Sequence, residues 1–197
     1  MSAEAGTDWL HELEASGALT RGHFKLSSGL HSPAYVQCAR LLEDPARARR
    51  AGAALAEALV AELGGAPDSV LSPALGAVLI GHEVAAALGV PHRFVERNAD
   101  RVFELRRGFH LREGERVVVV EDAVTTGGST KEVIALAHEL GAEITGAGAV
   151  INRSGGNPFD VPFVALAELT LPTYAPDDCP LCAQGKPVEK PGSRPDA

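Results

Sequence analysis

Apolar and polar positions along the chain follow two rhythms. Short, strand-like apolar runs recur at Ser69-Val70-Leu71, Pro91 to Val95, Val117 to Val120, Gly146 to Ile151 and Phe163 to Leu169. Between them, apolar residues recur every three or four positions, the period of an amphipathic helix. Asp44 stands where a cap belongs for a helix from about Pro45 to Leu63, with Ala54, Leu55, Ala58, Leu59 and Leu63 inward and Gly64-Gly65 closing it. A second helix runs through Leu88. A third carries Val133, Ile134, Leu136, Ala137 and Leu140, with Gly141 at its end. Nearer the N-terminus, Thr7 to Ser16 holds Trp9, Leu10 and Leu13 at helical spacing, and Gly17 ends it. Residues Ala18 to Val36 read as a β-hairpin: Phe24 and Leu26 alternate, Ser28-Gly29 marks a turn, and Tyr35-Val36 begins the return strand. Glu96 to Arg101 is polar and Val102 to Leu111 is strand-like again, which predicts a flexible loop within a β-ribbon.

One stretch combines this pattern with chemistry. Val117 to Val120 is a run of β-branched residues, as expected of a central parallel strand buried on both faces. Glu121 and Asp122 follow where that strand should end, then Ala123, Val124, Thr125, Thr126, Gly127, Gly128, Ser129 and Thr130. Gly127 and Gly128 can adopt positive φ and let backbone N–H groups converge into an anion-binding nest. The next helix adds unpaired amides and a partial positive charge, and the Thr and Ser hydroxyls add donors. Such a cup holds a phosphate monoester without a lysine. The two acids would repel phosphate but accept hydrogen bonds from sugar hydroxyls. A ribose 5-phosphate satisfies both halves.

Other phosphate loops do not fit. A Walker A loop places Lys before Ser/Thr, whereas Lys131 follows Ser129 and Thr130, and no Gly-x-Gly-x-x-Gly follows an expected strand. With 18 basic and 26 acidic residues, the net charge of −8 argues against a nucleic-acid backbone as partner. An anionic ligand must be held by local dipoles, a metal ion and a few arginines. No run of 18 apolar residues exists and Met1 to Gly22 is polar, so neither a membrane span nor a signal peptide is expected. Three cysteines fit a reducing cytosol, and a cytoplasmic location is expected. Cys179 and Cys182 have zinc-knuckle spacing, but a tetrahedral site requires two further ligands and only Cys38 and scattered histidines remain, so zinc is not expected there. A strand followed by Ser72-Pro73-Ala74-Leu75-Gly76 and a helix makes a second, weaker phosphate cup.

The segment Glu121 to Thr130 resembles the phosphoribosyl-pyrophosphate (PRPP) signature of type I phosphoribosyltransferases. Gly22-His23-Phe24, Leu26, Ser28-Gly29, His31-Ser32-Pro33 and Tyr35 resemble the N-terminal hood of the orotate phosphoribosyltransferases. Cys-Pro-Leu-Cys from Cys179 resembles the C-terminus of one bacterial group of them. The resemblance implies an α/β type I phosphoribosyltransferase fold, a central mostly parallel sheet flanked by helices with a small hood. It is read as one domain: hood in 1–40, core in 41–170 and an extended arm in 171–197. It also implies Mg²⁺-dependent transfer of ribose 5-phosphate from PRPP to orotate, giving orotidine 5′-monophosphate and pyrophosphate in pyrimidine biosynthesis. Mg²⁺ would be held mainly by PRPP, with no direct protein ligand.

By the same resemblance, residues 121–129 with Arg97 and Arg101 bind PRPP, and Ala74, Leu75 and Gly76 bind pyrophosphate. Ser28, Gly29, Thr125 and Arg153 bind orotate, while Glu121, Asp122 and Arg97 carry catalysis. A homodimer is implied because the family's 97–101 loop works across a subunit interface. This chain departs from the family there: no lysine occurs between Lys25 and Lys131, and no histidine between His92 and His110. Arg97 is the best positional stand-in for the loop lysine. Arginine clamps pyrophosphate bidentately but does not release a proton near neutral pH. Two readings stand beside the first: a phosphoribosyltransferase for a purine or another base, and a PRPP-binding regulator without turnover.

Overall fold

The computed structural model describes residues 7–26 and 28–191. Residues 1–6, Ser27 and 192–197, the outermost parts of the expected hood and C-terminal arm, lie outside the described residues. The chain forms two compact units: Leu42–Leu169, and the flanking segments up to Leu41 and from Thr170 taken together. Hood and arm, read as separate pieces, are thus one body.

In the smaller unit, Asp8 caps α1 (Trp9–Ala15), accepting the N–H groups of Leu10 and His11 at 3.1 Å each. Strands β1 (Leu19–Lys25) and β2 (His31–Val36) pair antiparallel, with an irregularity between Arg21 and Phe24. β2 begins at His31 rather than at Tyr35. The residues it buries there, His31 and Ser32, are polar, so hydropathy does not reveal the strand. The C-terminal segment returns to this hairpin. His31 and Tyr174 exchange backbone hydrogen bonds of 2.8 and 2.9 Å; Lys25 N–H donates to Glu189 and Glu189 N–H to His23, each at 2.8 Å. The segment is not simply extended, because Pro176 opens a 3₁₀ turn over Pro176–Asp178 and Pro180 opens a helical turn over Pro180–Ala183. Cys179 and Cys182 there face His23 and His31, two histidines that sequence reading did not connect with them.

A short turn, α2 (Ala39–Leu42), leads into the larger unit. Asp44 caps α3 (Pro45–Leu63) and Gly64 closes it in the left-handed conformation. The buried face is Ala48, Ala51, Gly52, Leu55, Ala56 and Leu59, while Ala54, Ala58 and Leu63 are half-buried at its margin. Gly52 is required by close helix packing: a Cβ on it would lie 2.4 Å from Cβ of Glu83 on α4 (Val78–Leu88).

The sheet holds β3 (Ser69–Pro73), β4 (His92–Arg97), β5 (Phe103–Leu105), β6 (Arg116–Val124), β7 (Glu143–Asn152) and β8 (Phe163–Glu168). Their spatial order is β5-β4-β3-β6-β7-β8, parallel throughout except for β5. Val117 to Val120 are completely buried. Val117 and Val119 pack with Val133 and Ala137 of α5 (Gly128–Glu139). By alternation Val118 and Val120 face the opposite layer, where Leu55 and Leu59 of α3 approach Gly148 of β7. After β3 the chain moves outward through β4 and β5; after β6 it moves the other way through β7 and β8. The switch point of the sheet therefore lies between the carboxyl ends of β3 and β6, where open α/β sheets bind ligands.

Two expected boundaries change. β6 continues to Val124, pairing Glu121 with Ala149 and Val124 with Asn152, so the acids belong to the strand rather than to the loop beyond it. The expected flexible 96–101 loop is a closed turn. Asn98 N–H donates to Val102 O at 2.9 Å and Arg101 N–H to Asn98 O at 3.0 Å, and the Asn98 side chain accepts Val102 N–H at 3.0 Å. Glu96 and Arg97 fall within β4, and the strand-like run after Val102 shortens to three residues. The Asn98 side chain closes the turn by replacing a backbone partner, which polarity alone does not foretell.

Leu55→Ala should lower unfolding free energy by about 2–5 kcal/mol through the cavity it leaves. Val60→Ala, on the outer side of the same helix, should change it by less than about 0.5 kcal/mol. Urea denaturation of both variants checks the burial assigned to α3.

Candidate active site

Glu121 and Asp122 reach the carboxyl edge of the sheet because β6 carries them there in register with β7. Asp122 N–H lies 3.2 Å from Glu121 Oε1, and Asp122 Oδ1 accepts the Ala123 N–H at 2.9 Å. Glu121 is only 8% exposed. Its burial first, and the charge of Asp122 second, hold the Glu121 carboxyl well above its ordinary value of 4.5. A buried acid is held here with its proton, directly beside a half-exposed one.

The loop that follows turns back through Gly127, whose φ is 76°. A Cβ at Gly127 would lie 2.7 Å from Phe159 Cε1 and 3.1 Å from Pro158 Cγ. Glycine is therefore required twice, for conformation and for room. Gly128 does not share the positive φ expected of it, since it already opens α5. The first amides of α5 have no acceptor within the helix. They line a cleft of about 280 Å³ with Glu121, Glu132 and the loop from Ala123. Thr125, Thr126 and Ser129 are exposed on this cleft, and Thr130 is buried beneath it.

The loop after β3 meets the same acids. A Cβ on Gly76 would stand 2.8 Å from Asp122 Oδ2, so no larger side chain fits unless Asp122 moves. Leu75 beside it is 85% exposed. From the third side, Arg97 at the end of β4 donates to Glu132 through Nη1 at 2.8 Å and Nη2 at 3.2 Å. It also donates to the Arg101 carbonyl, and its guanidinium carbon lies 3.9 Å above the Phe103 ring. Arg101 itself is exposed, with φ 65° in the turn.

Arg153 follows β7, with its N–H donating to the Val124 carbonyl at 2.7 Å, which places it next to the start of the loop. Thus the structure groups Glu121 to Ser129, Gly76, Arg97 and Arg153 around one sheet edge. Ser28 and Gly29 lie on the β1–β2 turn of the other unit, with Gly29 at φ 83°. Sequence reading missed Glu132 and Phe159. A glutamate one turn into a helix reads as an ordinary solvated position, and Phe159 meets Gly127 only through the fold.

These features match a family. The pattern of the Phosphoribosyl transferase domain covers residues 38–162, and the chain belongs to that class. Its relatives narrow the class. The Orotate phosphoribosyltransferase of Thermotoga maritima is 52% identical over 92% of this chain and 96% of its own. That of Novosphingobium aromaticivorans is 50% identical over 94% and 95%. The orotate phosphoribosyltransferase of Aeropyrum pernix superposes with a TM-score of 0.67 at 26% identity, over 80% of this chain and 91% of that one. The chain belongs to the orotate phosphoribosyltransferase family. An adenine phosphoribosyltransferase of Thermoanaerobacter pseudethanolicus also superposes, with a TM-score of 0.61 at 20% identity over 69% of this chain and 88% of that one. The fold alone therefore does not choose the base.

The raised Glu121 carboxyl has a consequence for stability. In the unfolded chain it ionises near its ordinary value, whereas in the folded chain it keeps its proton to higher pH. Between those limits the folded state binds the extra proton, so stability falls as pH rises through the window. Glu121→Gln should remove that loss. We expect its melting temperature to exceed that of the parent at about pH 8 more than at about pH 5, at roughly 2–4 °C per kcal/mol for a chain of this size. An equal difference at both values would contradict the assignment.

Proposed function

We propose that the cleft at the β3/β6 switch point binds PRPP and transfers its ribose 5-phosphate to N1 of orotate, releasing pyrophosphate. The observation that carries this reading is the two acidic side chains on β6 placed directly before an amide-lined cup. A sugar phosphate offers the matching pair of groups, a diol and a dianion. In this reading the amides at 127–130 and the hydroxyls of Thr125, Thr126 and Ser129 hold the 5-phosphate. Asp122 accepts from a ribose hydroxyl, and its charge opposes the positive charge that grows at the anomeric carbon as its bond to pyrophosphate breaks; Glu121, which keeps its proton, accepts from the neighbouring hydroxyl through its carbonyl oxygen. Orotate is already an anion, so no strong general base is required at the forming N1–C1′ bond; orientation carries much of the rate. Thr125 and Arg153 orient its ring and carboxylate. For Ser28 and Gly29 the support is the hairpin motif alone.

Mg²⁺ fits this donor set. The cleft offers hard carboxylate oxygens without soft ligands, and Mg²⁺ is usually bound by one or two carboxylates, substrate phosphates and water. It would ride mainly on the oxygens of PRPP and, when bound, neutralise part of the leaving pyrophosphate. Ala74, Leu75 and Gly76 present backbone to the same group, and Gly76 keeps that approach open beside Asp122. Arg97 and Arg101 supply the remaining positive charge in place of the missing loop lysine. To do so Arg97 exchanges Glu132 for phosphate oxygens, a bidentate partner of the same kind. The dimer and the cytoplasmic location extend this reading and rest on the resemblance. No described helix is long and apolar enough to cross a membrane.

The test mixes the protein with PRPP, Mg²⁺ and one base at a time: orotate, adenine, guanine or uracil. Consumption of orotate alone is expected. Consumption of a purine alone, or PRPP binding with no turnover, would replace the reading. Asp122→Asn should lower kcat by about 10²- to 10³-fold, the scale of losing one charge-stabilising group, with its melting temperature little changed. Unchanged turnover in Asp122→Asn would remove the carboxylate pair from the mechanism.

A further inference from the structure

The smaller unit holds a cluster that the proposed transfer reaction does not use. One ligand atom from each of His23, His31, Cys179 and Cys182 falls within 4.8 Å of all the others. His23 Nε2 lies 2.9 Å from His31 Nδ1, 3.5 Å from Cys179 Sγ and 3.7 Å from Cys182 Sγ. Cys182 Sγ is 3.3 Å from His31 Nδ1. Around a tetrahedral zinc with bonds of about 2.0–2.3 Å, neighbouring ligand atoms stand roughly 3.3–3.8 Å apart. The cluster approaches that spacing.

Local structure explains why four residues so distant in sequence converge. Lys25 pairs with His31 across the hairpin, and the irregularity just before it brings the His23 ring against that of His31, edge to face with centroids 4.8 Å apart. Cys179 immediately precedes the helical turn that contains Cys182, which brings both sulfurs to one side. The His31–Tyr174 and His23–Glu189 backbone bonds bracket this turn and fix it over the histidines. The His23 ring is oriented from behind, with Nδ1 2.9 Å from the Lys186 carbonyl. With Nδ1–H donating there, the Nε2 lone pair points into the cluster, the arrangement that outer partners impose on metal-bound histidines. His23, His31 and Cys179 are buried.

We propose that His23, His31, Cys179 and Cys182 form a structural zinc site that fastens the C-terminal segment to the β1–β2 hairpin. A proton shared between the two rings would satisfy two of the four converging atoms, whereas a zinc ion satisfies all four. Two thiolates also neutralise its charge, and their two protons pass to solvent on binding. The ligand set is closed, with two sulfurs and two imidazoles, which is the character of a structural rather than a catalytic zinc. The segment has reason to require a fastener. Between Thr170 and Pro191 only Cys179 is buried, so apolar burial contributes little to holding it. A metal replaces the missing core.

The test is metal content. Protein purified under reducing conditions without chelator should carry about one zinc per chain by atomic emission. Replacing it with Co²⁺ should give the sulfur-to-metal charge-transfer and strong visible bands of a tetrahedral thiolate site. The Cys179→Ser/Cys182→Ser double variant should lose both the zinc and the bands. Removing zinc from the unaltered protein should speed proteolytic cleavage between Thr170 and Pro191, so the inference stays testable if the variant does not fold. Protein that neither carries nor takes up zinc overturns it. So does zinc retained by the folded double variant, or a Cys179–Cys182 disulfide that persists under reducing conditions.

Discussion

The larger unit depends on keeping two acidic side chains on β6, whose other residues after Arg116 are all apolar. β6 lies between helices on both faces of the sheet, and its valines are completely buried. The same burial continues onto Glu121 and makes its ionised form costly. A sequence selected for stability alone would place an apolar residue at position 121. Here the unfavourable solvation of Glu121 leaves hydrogen-bonding oxygens at a sheet edge where water is already partly excluded. A diol bound there meets acceptors whose positions are set before it arrives.

The surroundings adapt to that constraint. Gly76 gives Asp122 space on one side, and Gly127 turns the chain against Phe159 so that α5 starts directly beyond the pair. Arg97 binds Glu132 at the cleft wall and stacks on Phe103. Positive charge is thus held at the cleft wall. An anion that competes for Arg97 exchanges one bidentate partner for another.

Much of this was legible in the sequence where the signal is local. The valine run, the acids, the glycine-hydroxyl loop, and α3 with its Asp44 and Gly64 caps all declare themselves within a few residues. What the sequence concealed depends on contacts between distant positions. β2 opens on His31 and Ser32, polar residues buried by their partners, so the hydropathy pattern there points away from a strand. The strand carrying Glu121 and Asp122 runs on to Val124 because β7 continues beside it, a fact about a neighbour rather than about the acids. Asn98 converts an apparently loose loop into a closed turn through one side-chain acceptor. Cys179 and Cys182 looked isolated because the two histidines they meet lie some 150 residues earlier, on the hairpin.

The central claim is that main-chain amides at the start of α5 grip a sugar phosphate while the β6 acids hold its diol. Amide chemical shifts of the isotopically labelled protein, followed as ribose 5-phosphate is added, test it most directly. The account predicts that the largest shifts fall on the Gly127, Gly128 and Ser129 N–H groups, with smaller ones at Asp122 and Ala123. Saturable binding that leaves those amides unmoved would contradict it.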